Sequence, residues 1–154
     1  MHLDLTESQR AARTRAQALG REQAVNPAAE AVIRNAARAG LLEPGLEPLT
    51  AVLACEAMAE ESPAAAFAYA LHVSVLLGLG RDDRLAPAAT RGDFVAALAL
   101  SSEEIPSMLD GKVRGRATWV GPLTDRGVAV VGARSGDALA ACAVRLDAPG
   151  VRVE

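Results

Sequence analysis

Apolar positions recur at helical spacing through the first ninety or so residues of the chain, and then the pattern changes to short valine-rich runs. In Leu5-Thr6-Glu7-Ser8-Gln9, Thr6 is an N-cap with Gln9 three residues on, the arrangement in which each side chain satisfies the other's free backbone N–H. A first helix is predicted from about Glu7 to Leu19, closed by Gly20. Asn26-Pro27 predicts the start of a second helix running to Gly40, with Val32, Ile33, Ala36 and Ala37 on its apolar side. Pro48 opens a third, LTAVLACEAMAEE, whose Leu49, Val52, Leu53 and Ala57 call for a packing partner. Ser62-Pro63 opens a fourth, apolar nearly all round, as suits a helix buried in a bundle or against a second subunit, and Gly78 and Gly80 end it. Arg81 to Arg91, broken by Pro87, reads as a loop with one short helix.

From Phe94 the texture is different. FVAALAL is a short apolar run that fits a strand or a buried helix. Lys112 to Val120, Val128 to Ala133 and Leu139 to Leu146 are separated by Gly121-Pro122, Gly127 and Ser135-Gly136-Asp137, which predicts antiparallel strands joined by tight turns. The fold class is therefore α+β: an N-terminal helical bundle (residues 1–92) followed by a small antiparallel sheet, a partial β-barrel (residues 93–154).

Composition narrows the chemistry. At 154 residues and a formal charge of -3 without a basic stripe, the chain suits at most one compact unit, or one plus a fragment, and nucleic acid is not an expected partner. Cys55 and Cys142 form no C-x-x-C pair and read as reduced thiols; His2 and His72 have no ligands at metal spacing, so no metal site is expected. The N-terminus MHLDLTESQRAAR is neither a signal peptide nor a membrane span, which leads to the expectation of a soluble cytoplasmic protein without membrane contact. No G-x-G-x-x-G or P-loop occurs.

Two residues have two readings each. His72, one helical turn from both Tyr69 and Leu76, is either a core histidine bonded to a carbonyl or to Tyr69, or a pocket acid or base. Trp119, the single tryptophan, is either a core anchor of the sheet or, between Gly115 and Gly121, a wall against a flat ligand. Ser101, Ser102, Glu103 and Glu104 cluster where the first strand ends, as a solvated turn or as ligand contacts.

The order of segments resembles the acyl-CoA dehydrogenase family. LDLTESQRAARTRAQALG is similar to the family's opening helix, IRNAARAGLLEP to its second, and LTAVLACEAMAEESPAAAFAYALHVSVLLGLG to its third and fourth. RGDFVAALALSSEE resembles the "a-f-a-L-T-E-P" entry into the middle β-domain, VRGRATWVGPLTDRGVAVVGAR the "G-x-K-x-W-I-T" strand pair, and LAACAVRLDAPGVRVE the strand ending in "d-a-P-G-v". The resemblance implies flavin-dependent desaturation of acyl thioesters, with FAD as cofactor. By it, Leu100 and Ser101 stand for the Leu-Thr pair and Trp119 and Val120 for the Trp-Ile pair along the flavin. Ser102 and Glu103 stand where the family has Glu-Pro, IPSMLDGK replaces the "G-a-G-S-D" loop, and Gly121 replaces the threonine after Trp-Ile.

The family's C-terminal helical bundle, which brings the catalytic glutamate and the tetramer core, has no counterpart in the sequence, so no catalytic base is assigned. A truncated chain of this kind is expected to associate, with a second copy or with a larger acyl-CoA-dehydrogenase-like chain. The expected function is a subunit of a split or heteromeric flavin-dependent acyl-thioester dehydrogenase. The alternative is a flavin-free repurposed scaffold, a binding module or a small cyclase or isomerase on an apolar metabolite, with Tyr69, His72 and Glu103 as its candidate pocket.

Overall fold

The computed structural model describes residues 4–79, 84–100, 104–117, 119–121, 124–125 and 127–153. They form five α-helices and six β-strands, gathered into two compact units, Met1–Asp93 and Phe94–Glu154.

In the helical unit, α1 (Glu7–Glu22) begins at the capping box read from the sequence: the Gln9 N–H donates to Thr6 Oγ1 at 3.2 Å and the Thr6 N–H to Gln9 Oε1 at 2.9 Å. The helix does not close at Gly20 but passes through it. A Cβ there would stand 2.9 Å from the Met58 carbonyl oxygen and 3.0 Å from Glu61 Cβ, so this glycine is a contact point between α1 and α3, not a stop. Arg13–Glu60 (3.2 Å) and Arg21–Glu61 (2.9 Å) clip the same two elements together at the surface.

Helix α2 (Ala29–Arg38) starts later than Asn26-Pro27 predicts. Asn26 takes φ 44°, a left-handed turn rather than the extended conformation of an N-cap, and the cap falls on Ala28. Its end is a Schellman motif: Gly40 (φ 66°) donates to the Ala37 carbonyl and Leu41 to that of Ala36.

Helix α3 (Pro48–Ala59) opens at its proline as predicted and buries Met58 and three alanines, Ala51, Ala54 and Ala57, whose small side chains let a neighbouring helix come close. Helix α4 (Pro63–Leu79) is capped by buried Ser62, whose hydroxyl accepts from the Ala65 N–H and donates to the Gln23 carbonyl at 2.9 Å. It passes Gly78 without ending there. The short helix α5 (Ala86–Thr90) carries Pro87 in its first turn, where the missing N–H costs nothing. The core gathers Val32, Ile33, Leu41, Leu42, Met58 and Tyr69, all at most 1 % exposed.

In the second unit, FVAALAL contains a strand, β1 (Ala96–Leu100), followed by β2 (Ser107–Leu109), β3 (Lys112–Arg114), β4 (Trp119–Gly121), β5 (Val128–Ser135) and β6 (Ala138–Arg145). The order is β3-β2-β5-β1-β4, with β6 on the other side of β5. The sheet is mixed, which corrects the antiparallel expectation. The β1–β4, β2–β3 and β5–β6 pairs are antiparallel, but β1 and β2 both run parallel to β5. They are successive stretches along one edge of β5, Ala96–Ala99 beside Val128–Val131 and Ser107 beside Arg134, so they share a direction.

The predicted strand Lys112–Val120 is two strands, β3 and β4. Gly115, at φ 146°, lies so close to Pro106 that a Cβ would stand 2.8 Å from its Cα, and the chain turns there. Ala99, Ala129 and Val131 form the buried centre, with Val113, Ala117, Val144 and Leu146 packed on it.

Candidate functional site

The two segments that the resemblance marks as flavin-lining are neighbours. Strands β1 and β4 pair antiparallel with Leu100 opposite Trp119, Ala99 opposite Val120 and Leu98 opposite Gly121. The local reason is that β1 is a five-residue alanine and leucine strand held on its other side by β5, which leaves one edge for β4. Gly121 is buried at the end of this pair. Leu100, Trp119 and Val120 thus lie side by side in the backbone, while Ser101 and Glu103 fall outside the described residues.

Tyr69 and His72 lie on α4 with no exposed surface. The Tyr69 hydroxyl donates to the Leu41 carbonyl at 3.0 Å, and burial pushes its ionisation far above the usual phenol range. Nε2 of His72 meets the Ala89 carbonyl at 3.0 Å, and burial lowers its pKa, which favours the neutral ring. These bonds tie α4 to the α2–α3 connection and to α5. A hydroxyl and an imidazole engaged in this way hold the helices in place.

The helical unit holds a cleft of about 410 Å³ between the Glu43–Leu46 connection, Leu76 and Leu77 of α4, and Pro87 and Thr90 of α5. Neither Tyr69 nor His72 lines it. The walls are mostly aliphatic, with the Glu43 carboxylate and the Thr90 hydroxyl, which donates to the Ala86 carbonyl at 2.7 Å, as the polar groups. The only sequence signal for it was the pair of proline-bounded segments that flank α4 at a distance.

Both cysteines are free thiols. Cys55 Sγ contacts the Ala66 carbonyl, and burial pushes its pKa up; Cys142 Sγ lies 3.4 Å from Met108 Sδ. Among the described residues no group of three or more His, Cys, Asp or Glu side chains could hold a metal, and no helix is long and apolar enough to cross a membrane. Large apolar side chains are exposed on α3 (Leu49, Val52) and α4 (Phe67, Leu77).

A helical unit followed by a mixed sheet of this connectivity is the fold of the first part of acyl-CoA dehydrogenases, which bears out the resemblance seen in the sequence at the level of fold. In particular, the chain is similar to glutaryl-CoA dehydrogenase from Mycobacterium smegmatis, with a TM-score of 0.70 and 18% identity over 95% of this chain. It is equally similar to the ChsE4-ChsE5 complex from Mycobacterium tuberculosis, with a TM-score of 0.72 and 19% identity over 100% of this chain. The chain spans about half the length of each, 47% and 51%. No protein-family model and no curated protein matches the sequence.

Proposed function

We propose that the chain is one subunit of a heteromeric, flavin-dependent acyl-thioester dehydrogenase. The observation that carries this reading is the β1–β4 register, Leu100 opposite Trp119, within a fold shared with two acyl-CoA-dehydrogenase-type structures, one of them a complex of two named components.

In this reading the two paired segments would form one edge of a flavin site. The paired backbone of β1 and Trp119-Val120-Gly121 is the edge along which the ring would lie. Leu100, Ser101, Trp119 and Val120 are the residues that would hold the isoalloxazine ring. When bound, FAD supplies the hydride acceptor for oxidation of the acyl chain. This chain's own part is to orient the ring and exclude water from one side of it. The base that removes the α-proton is assigned to the partner, and the exposed apolar residues of α3 and α4 are the surface proposed to meet that partner or the acyl group.

The test is a visible absorbance spectrum of the purified protein with and without added FAD, taken with its solution mass. A flavin band that co-elutes with the protein and weakens in Trp119→Ala supports the reading. A colourless, stable protein that ignores FAD, alone and with its co-expressed partner, overturns it.

A further inference from the structure

Away from the β1–β4 pair, farther along the same edge of β5, one cross-strand row gathers positive charge. Ser107 of β2 stands opposite Arg114 of β3 on one side and opposite Arg134 of β5 on the other. The Arg134 N–H donates to the Pro106 carbonyl at 2.7 Å, which fixes that register. Residues paired across a sheet share a face, so both arginines and the serine lie on the same side. All three are exposed, whereas Met108, Val113 and Ala133 alternate to the inner side. Neighbouring strands are about 4.8 Å apart, so the backbone positions of the two arginines flank that of Ser107 on adjacent strands.

Nothing in the row neutralises them. Strands β2, β3, β5 and β6 contain no Asp or Glu, and Asp110 and Asp137 sit in the hairpin turns. Among the described residues no carboxylate pairs with Arg114 or Arg134, although Arg13, Arg21, Arg91 and Arg145 all have carboxylate partners. Lys112 lies on the same face opposite Leu109, and the row continues from Arg134 to apolar Leu139. Gly132, two residues before Arg134 on this face, has nothing within 4 Å of where its Cβ would be, which leaves an open floor beside the guanidinium.

We propose that Arg114, Ser107 and Arg134 form a binding site for the phosphate group of a soluble phosphorylated compound. Two planar guanidinium forks on one exposed face, beside a hydroxyl held by a long bond to the Arg114 backbone carbonyl (3.4 Å), suit the tetrahedral oxygens of a phosphate, each fork able to donate two parallel hydrogen bonds. The site lies wholly within the second unit and does not depend on the flavin reading.

The experiment is calorimetric titration of the full chain at low ionic strength with inorganic phosphate and pyrophosphate. Arg114→Ala and Arg134→Ala are the test variants, and Arg38→Ala on α2 is the control for general loss of a surface charge. Circular dichroism checks that each variant is folded. The expected result is salt-sensitive binding, tighter for pyrophosphate, weakened about ten-fold or more by either test variant and unchanged in the control. Absence of binding, binding that survives the double variant, equal weakening in the control, or binding to phosphatidylglycerol vesicles without binding to pyrophosphate overturns the proposal.

Discussion

Two side chains of α4 show how a polar group is used when it has no access to water. The Tyr69 hydroxyl reaches the Leu41 carbonyl just after α2, and His72 reaches the Ala89 carbonyl of α5, so each couples α4 to a different neighbour. Removing the hydroxyl in Tyr69→Phe leaves a buried carbonyl without its donor, and a loss of about 1 to 3 kcal/mol in unfolding free energy by urea titration is expected. His72 sets a pH dependence. Its folded pKa is lowered by burial, so the unfolded chain takes up its proton first; the stability is fully present above the unfolded value of about 6.5 and is lost as the pH falls through the folded pKa. In His72→Gln the amide keeps a donor toward Ala89 but cannot titrate. The urea midpoint of this variant is expected to fall less steeply than that of the parent on acidification from about pH 7.5 to 5.5.

At the scale of elements, the sequence was most legible where local chemistry decides. The Thr6–Gln9 capping box, Pro48 at the head of α3 and Ser62-Pro63 at the head of α4 are settled by groups within four residues of one another, and all appear as read. Thr6→Ala is expected to cost about 1 kcal/mol, seen as a lower thermal midpoint. Gly20 was misread because its reason is not local: it is dictated by Met58 and Glu61, distant in sequence. In an exposed helix interior, Gly→Ala stabilises by about 0.5 to 1 kcal/mol. Here the sign is expected to reverse, because the new methyl meets the Met58 carbonyl backbone, and a thermal melt of Gly20→Ala would detect it. The β2–β3 hairpin was missed although its turn, Asp110-Gly111 with φ 51° and 69°, carries a strong hairpin signal. Three-residue strands are too short for alternation to stand out. The parallel pairing of β1 with β5 leaves no local trace at all. Of the candidate site, the juxtaposition of Leu100 with Trp119 followed from resemblance, whereas the cleft beside α5 depends on how distant segments meet.

For the whole molecule, the proposed role puts the emphasis on what is left uncovered. Val52 and Phe67 are 62% and 49% exposed, on helices whose inner faces are fully packed. Val52→Glu and Phe67→Glu are expected to leave the circular dichroism spectrum unchanged while lowering the solution mass at high concentration, or the yield of a co-purified partner; an unchanged assembly would remove these faces from the interface. The mixed sheet also sets an order of assembly. The β5–β6 hairpin closes through Gly136-Asp137, next to its own strands, while Ala96 meets Val128 only after everything between them has been brought round. The hairpin is therefore expected to form early in this unit, and β1, with the edge it offers to β4, to join late. Pulse-labelled hydrogen exchange during refolding should find amides of β5 and β6 protected before those of β1, so that the ledge carrying Leu100 and Trp119 is the last part of the sheet to exist and the first to be lost.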